Sequence, residues 1–456
     1  MAGGGKLHVP KEAWVDCTVP LILICLLYSM RSIFFGDDGA SFGGVQTFGP
    51  FLRKIGRWDP ENDDYAIPTY IVSLMNSLPL VGKSLGAVIV GSMIERRGHR
   101  LSMAITCVVQ VVGTVIQVTS HTPPQFIVGR MLIYGAVGLV ENVVPTYESE
   151  ICPAPLRGFC VGSIQLFLTF GSLIAGVVNE GLSKLTTDAG WMVATGIQMV
   201  PAIIILSGLY FSHQNRRSDA LKALKVFRPK KAVDDGLCEL EILTGVTFSS
   251  SYGPTFYKQV GLGDKAFAYA AINNSVSVAT AVIGMYLFDV FGRRDLTFHG
   301  CWGQALFLCL IGGLGSEVNR TTSDTNGMVA SFILYAAILH ATLGPAAYIT
   351  AAKVGTATLR EKTMALSTAW NVVVGSGVVY STPYLLSTPG AKLGARLGYV
   401  WGACAGIGAI WVWFFMPEFK QYECNGLDRD ALARYQAKME DSKGEERGEG
   451  VELESV

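Results

Sequence analysis

One carboxylate stands inside an apolar stretch near the start of the chain. Asp38 lies within residues 18–45, which are otherwise mostly apolar. A carboxylate in such a stretch is costly, so it usually faces a cavity or a cation. Arg130, near the start of another apolar stretch, is the predicted partner. Because burial and a nearby arginine move the proton affinity of a carboxyl group in opposite directions, Asp38 could bind and release a proton.

Amide, hydroxyl and aromatic side chains also occur inside the apolar stretches. The amide of Gln165 offers donors and an acceptor, which suits adjacent hydroxyl groups of a ligand, although such amides also bridge helices. Four further candidates follow: Ser251, Tyr252, Trp370 and Asn371. Rings that stack and amides that hydrogen-bond suit a polyhydroxylated small molecule, but each of these residues could equally serve helix packing.

The composition indicates the kind of protein that positions these groups. Of 456 residues, 50% are hydrophobic and only 16% are charged, whereas a typical soluble domain has about 25% charged residues. The 36 basic residues balance 36 acidic ones, so a basic nucleic-acid binder is not expected. The composition predicts an integral membrane protein.

Enzyme chemistry, cofactors and metals are not expected. The ten cysteines lack the spacing of zinc ligands and are predicted to be unpaired, and the six histidines are scattered. There is no glycine-rich phosphate-binding motif, so ATP is not the predicted energy source.

Twelve stretches are apolar and long enough to cross a bilayer, which takes about 20 residues. The fold class predicted is an all-α membrane protein whose seventh span is short. The predicted spans are 18–45, 67–91, 101–119, 126–147, 158–180, 191–211, 242–258, 266–288, 298–315, 328–350, 364–386 and 395–416. Charged or polar residues interrupt the first, seventh and eleventh spans.

The loops predict the orientation. The connections after the second, sixth and eighth spans are rich in arginine and lysine. Positive loops face the cytoplasm, so both termini are predicted to be cytoplasmic.

The chain also repeats itself. In 91–100 and in 285–294 an acidic residue stands three positions before a glycine, and a basic residue two positions after it. Two halves of six spans around a central site are typical of secondary transporters. The predicted divisions are a terminus at 1–17, bundles at 18–211 and 242–416, a linker at 212–241 and a tail at 417–456.

Several motifs resemble the sugar porter family of the major facilitator superfamily, and their residues are most similar to those of filamentous-fungal hexose and α-glucoside porters. They are GRMLIYGAVGLVENVVPTYESEICPAPLRG at 129–158, FGDDGASFGGV at 35–45, TGVTFSSSYGPTFY at 244–257 and LGPAAYITAAKVGTATLREKT at 343–363. The resemblance covers nearly the whole chain. It implies two six-helix bundles that carry sugar by alternating access, often with protons, within a lipid bilayer.

The resemblance also implies roles for particular residues. Asp38 matches the proton-coupling acid, with Arg130 as its partner, and Gln165 matches a sugar-contacting glutamine. Thr247 occupies the position of a family asparagine, and Tyr348 that of an aromatic residue of the tenth span. Ser251 and Tyr252 lie one turn after Thr247, and Trp370 and Asn371 supply a ring and an amide in the eleventh span. A set of charged residues matches the gate that closes the cytoplasmic side: Glu95, Arg100, Glu150, Arg157, Asp289, Arg293, Arg294 and Arg360.

Three departures leave other functions open. The linker is shorter than in the family, and Glu241 and Ile242 stand where a glutamine pair opens the seventh span. Lys353 replaces a gate glutamate, and the element Pro-Glu-Ser-Pro-Arg after the sixth span is missing. A non-transporting sugar sensor and a defective, shortened isoform are therefore alternatives to a plasma-membrane sugar:proton symporter.

Overall fold

The computed structural model describes residues 25–26, 28–60, 63–151, 154–211, 246–262, 265–316, 321–346, 360–386 and 393–416. The predicted linker at 212–241, most of the N-terminal segment and the tail at 417–456 lie outside them. Helices account for nearly all of the described chain.

The described helices fall into two halves of the chain. The N-terminal half contains α1 (Ser32–Val45), α2 (Gly49–Ile55), α3 (Thr69–Val118), α4 (Pro123–Ile151), α5 (Ala154–Leu182), α6 (Ala189–Gly196) and α7 (Met199–Phe211). The C-terminal half contains α8 (Val246–Tyr257), α9 (Ala266–Phe291), α10 (Arg293–Leu314), α11 (Thr322–Ala341), α12 (Arg360–Leu386) and α13 (Leu397–Phe415). A π-helical turn (Lys258–Leu262) follows α8, and a 3₁₀ turn (Gly394–Arg396) precedes α13.

Nine segments of the described chain are long and apolar enough to cross a membrane. They correspond in order to nine of the twelve predicted spans. The other three predicted spans coincide with α1, α8 and α12, which are the helices interrupted by charged or polar residues. The all-α membrane fold predicted from the sequence is therefore confirmed.

Two glycines turn the chain at equivalent places in the two halves. Gly98 divides α3 into two spans with φ 73° and ψ 165°, and Gly292 separates α9 from α10 with φ 91° and ψ 164°. A backbone with positive φ of this kind is open to glycine and strained for other residues. Both glycines belong to the repeated motif, so the internal repeat of the sequence is also a repeat of backbone conformation.

The segment between the first two spans is more ordered than the sequence predicts. It forms α2 and then an antiparallel hairpin, β1 (Arg57–Asp59) paired with β2 (Asp64–Ala66). We call the side of the molecule that carries this hairpin the outer end, because the loop charges predict that it faces away from the cytoplasm.

The sixth predicted span, 191–211, is present and is divided into α6 and α7. The regular α-helix breaks between α6 and α7, where Ile197 and Gln198 form a turn. The break places the side chain of Gln198 beside the first helix.

Each half packs around its own apolar core, and three helix pairs make the most extensive contacts between the halves. Helix α1 packs on α8, α3 on α12, and α5 on α9. The centre of the molecule therefore lies between α1 and α5 of one half and α8, α11 and α12 of the other. Of the described cysteines, Cys107, Cys301, Cys309 and Cys404 form no disulfide.

Candidate functional site

The predicted acid and base meet in the interior of the N-terminal half. Arg130 Nη2 on α4 donates to Asp38 Oδ2 on α1 at 2.9 Å, and the two side chains are 2% and 1% exposed. Arg130 Nη1 also donates to the carbonyl oxygen of Met75 on α3 at 3.1 Å. The guanidinium group lies 3.9 Å from the centre of the Phe42 ring, a cation–π distance. The pair thus ties together three helices.

A residue that the sequence did not single out completes the pair. Gln198 Nε2, in the break between α6 and α7, donates to Asp38 Oδ1 at 3.2 Å. The amide of Gln110 in turn donates to the carbonyl oxygen of Gln198 at 2.6 Å. Both oxygens of the Asp38 carboxylate therefore have donors, which a buried ion pair needs in order to offset its desolvation. The sequence feature that could have identified Gln198 is the presence of a glutamine inside an apolar span.

Further polar groups surround this pair on the outer side. The recess beside it is lined by Ser41, Phe42, Gln117, Phe126 and Thr195 in addition to Asp38, Arg130 and Gln198. Among the described residues, neither amide atom of Gln117 has a hydrogen-bond partner, and Oε1 of Gln198 has none. Donors and acceptors are thus available next to Asp38 when its partners change.

The neighbouring acid is in a different situation. Asp37, which takes a tyrosine position of the resembled family, is buried, and neither of its carboxylate oxygens has a hydrogen-bond partner among the described residues. Adjacent carboxylates on one helix thus differ completely in their partners.

The predicted sugar-contacting glutamine lies between the two halves. Gln165 on α5 is 2% exposed, and its Nε2 lies 3.0 Å from Nδ1 of His340 on α11. This contact joins the N-terminal half to the C-terminal half. His340 carried no prediction, because a single histidine in an apolar span is compatible with simple packing.

The remaining predicted sugar-site residues are spread over α8 and α12. Tyr252 is buried, and its hydroxyl donates to the carbonyl oxygen of Val379 on α12 at 3.3 Å. Trp370 is 52% exposed and Asn371 is half-buried, both on α12. Thr247 and Ser251 belong to α8, but their side chains lie outside the described residues, as does the whole of Tyr348.

The two halves also touch at the outer end. Gln46 Nε2 lies 3.3 Å from Thr255 Oγ1, and Lys258 Nζ donates to the carbonyl oxygen of Thr47 at 3.2 Å. The rings of Phe48 and Phe267 meet edge to face, with centroids 5.6 Å apart. These contacts join the two halves at the outer end, and none was predicted from the sequence.

A second acid–base pair lies between two other helix positions of the N-terminal half. Lys83 Nζ on α3 is 2.8 Å from Glu141 Oε1 on α4, and it lies 4.9 Å from the centre of the Phe35 ring on α1. A lysine and a glutamate inside two apolar spans were the signals for this pair.

The predicted cytoplasmic gate is described only in part. Arg294 donates to the carbonyl oxygen of Trp413 and lies over its ring, so its described contacts are with α13. The side chains of the other seven residues lie outside the described residues: Glu95, Arg100, Glu150, Arg157, Asp289, Arg293 and Arg360. The same holds for Lys353.

Comparison with known proteins agrees with these features. The family model described as "Sugar (and other) transporter" matches residues 24–235 and 236–431. The match covers most of the chain and breaks within 212–241, the segment that the sequence predicts to be shortened.

Curated relatives match over nearly their whole length. The high-affinity glucose transporter ght2 of Schizosaccharomyces pombe is 27% identical over an alignment of 505 positions, which covers 94% of each chain. The probable glucose transporter rco-3 of Neurospora crassa is 24% identical, with 90% of this chain and 79% of the relative covered.

Solved structures share the fold. The proton:xylose symporter XylE, bound to 6-bromo-6-deoxy-D-glucose, superposes with a TM-score of 0.73 at 19% identity, over 88% of this chain and 96% of XylE. The twelve predicted spans, the repeated corners and the matched family model lead to one assignment. The chain belongs to the sugar porter family of the major facilitator superfamily.

Proposed function

We propose that the protein carries a sugar across the membrane together with a proton, by alternating access between its two halves. The observation that carries this proposal is the buried pair of Asp38 and Arg130. Family membership supports the transport of a sugar, and the names of the relatives and of the solved symporter support a hexose or pentose and a proton.

The proton would act on the contacts between helices. Asp38 accepts hydrogen bonds from Arg130 on α4 and from Gln198 between α6 and α7. When a proton neutralises the carboxylate, its attraction to Arg130 is lost while the arginine stays charged and buried. The relative free energies of the helix arrangements then change, and a ligand or a proton that favours one arrangement shifts the population toward it.

The sugar would bind where the halves meet. Gln165 lies at this interface, and Tyr252, Trp370 and Asn371 belong to helices that border it. Thr247, Ser251 and Tyr348 complete the proposed sugar site. Amides and hydroxyls provide the hydrogen bonds and rings the stacking surface that a sugar requires.

The proposed gate and location follow from the same family. The eight charged residues named as the cytoplasmic gate would hold the inner side shut when the outer side is open. We place the protein in the plasma membrane with both termini in the cytoplasm, in accordance with the positive loops.

The test is uptake of labelled D-glucose and D-xylose by yeast that lacks its own sugar carriers, with surface expression measured by a tag. We expect accumulation that an uncoupler abolishes. Asp38→Asn should lose accumulation but keep exchange of labelled for unlabelled sugar, because the site between the halves is intact. Asp64→Asn, a change of an exposed acid in the outer hairpin, is the matched control and should behave as the wild type.

Two results would contradict the proposal. If the uncoupler did not reduce uptake and Asp38→Asn took up sugar as the wild type does, transport would be facilitated diffusion without a proton. A wild-type protein that reaches the surface and moves no sugar would favour the sensor or the defective isoform.

A further inference from the structure

The contact between Gln165 and His340 depends on a glycine beside it. Gln165 projects from α5 of the N-terminal half, and His340 is one of the last residues of α11 in the C-terminal half. Gly344, one turn beyond His340, faces the same amide. A Cβ atom at Gly344 would lie 2.7 Å from Nε2 and 2.8 Å from the amide carbon of Gln165. The Gln165 side chain therefore fills a notch that exists because residue 344 has no side chain.

The hydrogen-bond chemistry gives the contact a direction. An amide nitrogen only donates, so Nδ1 of His340 accepts and the ring proton is on Nε2. This leaves Oε1 of Gln165 as the atom that faces away from the histidine. Among the described residues Oε1 has no hydrogen-bond partner, although it is buried. A buried carbonyl oxygen without a donor is costly, so a donor is expected to reach it in some state of the protein.

We propose that His340 is a specificity-determining positioning residue, which fixes the Gln165 amide so that Oε1 accepts a hydrogen bond from a sugar hydroxyl. This inference rests on the proposed function, since it requires sugar to bind between the halves. His340 itself need not touch the sugar: it selects which end of the amide is presented. A site that presents a fixed acceptor rejects ligands that lack a donor at that position.

Analogues of D-glucose distinguish the two ends of the amide. A hydroxyl both donates and accepts, a fluorine only accepts, and a hydrogen does neither. At the ring position that meets Gln165, the deoxy and the fluoro analogue should therefore both bind worse to the wild type. We expect each analogue to compete with labelled D-glucose about tenfold more weakly, because each loses one hydrogen bond to a buried acceptor.

The variants separate positioning from packing. In His340→Leu the amide is free to turn and to offer Nε2–H, so the fluoro analogue should recover to within about threefold of D-glucose while the deoxy analogue stays weak. In His340→Asn the side-chain oxygen accepts near the place of Nδ1, and the wild-type pattern should return. His299→Leu, which removes the histidine of α10 next to Phe298, is the matched control.

The outcomes are distinct. A folded His340→Leu that rejects the fluoro analogue as strongly as the wild type does would overturn the inference and leave the proposed function standing. If His340→Leu does not reach the surface, His340→Ala, which also lacks an acceptor, is compared with His340→Asn, and identical patterns in these two would overturn it. A wild type that reaches the surface and shows no D-glucose or D-xylose uptake would overturn the proposed function, and this inference with it.

Discussion

The two halves of the molecule share a fold but differ in what they bury. In the N-terminal half the described interior includes charged side chains: Arg31, Asp37, Asp38, Lys83, Arg130 and Glu148. In the C-terminal half the buried polar residues among those described are uncharged: Asn273, Ser277, Thr297, Gln304, Ser331, Thr342 and Thr382. Its core is instead rich in stacked rings, such as Phe256, Phe332 and Tyr335.

The fold therefore does not require charged side chains in its interior. Both halves form the same glycine corner and the same kind of helix packing, and the C-terminal half does so with aromatic and amide side chains. Charges inside a membrane protein are costly and usually mark a functional path. The N-terminal half is therefore the half in which charge movement should occur. Arg31 donates to the carbonyl oxygen of Thr106 at 3.5 Å and lies 4.6 Å from the centre of the Phe34 ring.

The largest effect is expected from separating the buried pair. Arg130→Leu leaves the Asp38 carboxylate buried without its arginine, although the Gln198 amide still donates to it. We expect a loss of about 3–5 kcal/mol in the free energy of unfolding, the usual result of removing one partner of a buried ion pair. Thermal unfolding in detergent measures it.

The control for this prediction is in the other half. Gln304→Leu removes a buried amide that has no hydrogen-bond partner among the described residues, and it should be neutral or stabilising. If Gln304→Leu destabilised the protein as much as Arg130→Leu, the contrast between the halves would be lost.

The second pair should have an intermediate effect. Glu141→Gln leaves the Lys83 ammonium with an amide and the Phe35 ring, and the pair is less buried than Asp38 and Arg130. We expect a loss of about 1.5–3 kcal/mol, typical of a hydrogen bond to a charged group. A double-mutant cycle with Lys83→Met measures the coupling, and additive effects would show that the two side chains do not interact.

A ring in the C-terminal core should matter for stability and not for coupling. Phe332 stacks on Phe256 with centroids 5.1 Å apart. Phe332→Leu should cost about 0.5–1.5 kcal/mol, the contribution of an aromatic pair, and keep the ratio of accumulated to external sugar. Phe51→Leu is the matched change in the N-terminal half, where Phe51 packs on Trp191. If Phe332→Leu lost sugar accumulation and Phe51→Leu did not, proton coupling would involve the C-terminal half.

The smallest effect is expected where the halves touch. Gln46→Leu removes the contact of Gln46 with Thr255 at the outer end. A single neutral hydrogen bond contributes about 0.5–1.5 kcal/mol, and here part of it stabilises one arrangement of the halves. The half-saturation concentration for external sugar should fall, because the outer end opens more readily. An unchanged value would indicate that this contact does not hold the outer end closed.

The sequence predicted the parts of the structure that depend on strong, local signals. Long apolar stretches predicted the order of the helices, because few other structures satisfy the backbone in a bilayer. The cost of a charge in such a stretch predicted that Asp38 needs a cation, and the structure pairs it with Arg130. The repeated spacing around Gly98 and Gly292 predicted two related halves.

The rest depends on how distant helices align. Gln198 reaches Asp38 because the sixth predicted span breaks at that residue, and an apolar sequence gives no sign of such a break. His340 meets Gln165 because Gly344 lets the two helices approach. The outer hairpin was missed because its strands are only three residues long.

The backbone turn at Gly98 has a consequence for the insertion of the protein into the membrane. The span before it ends at Val90 and the next begins at Leu101, so two hydrophobic segments emerge from the ribosome close together. A Cβ atom at Gly98 would meet nothing within 4 Å, so only the backbone conformation restricts the residue there. This bend lets both segments enter the bilayer as a single hairpin, with the second returning to the side from which the first began. A substitution at Gly98 should therefore reduce the yield of inserted protein, while molecules that do insert keep the site intact.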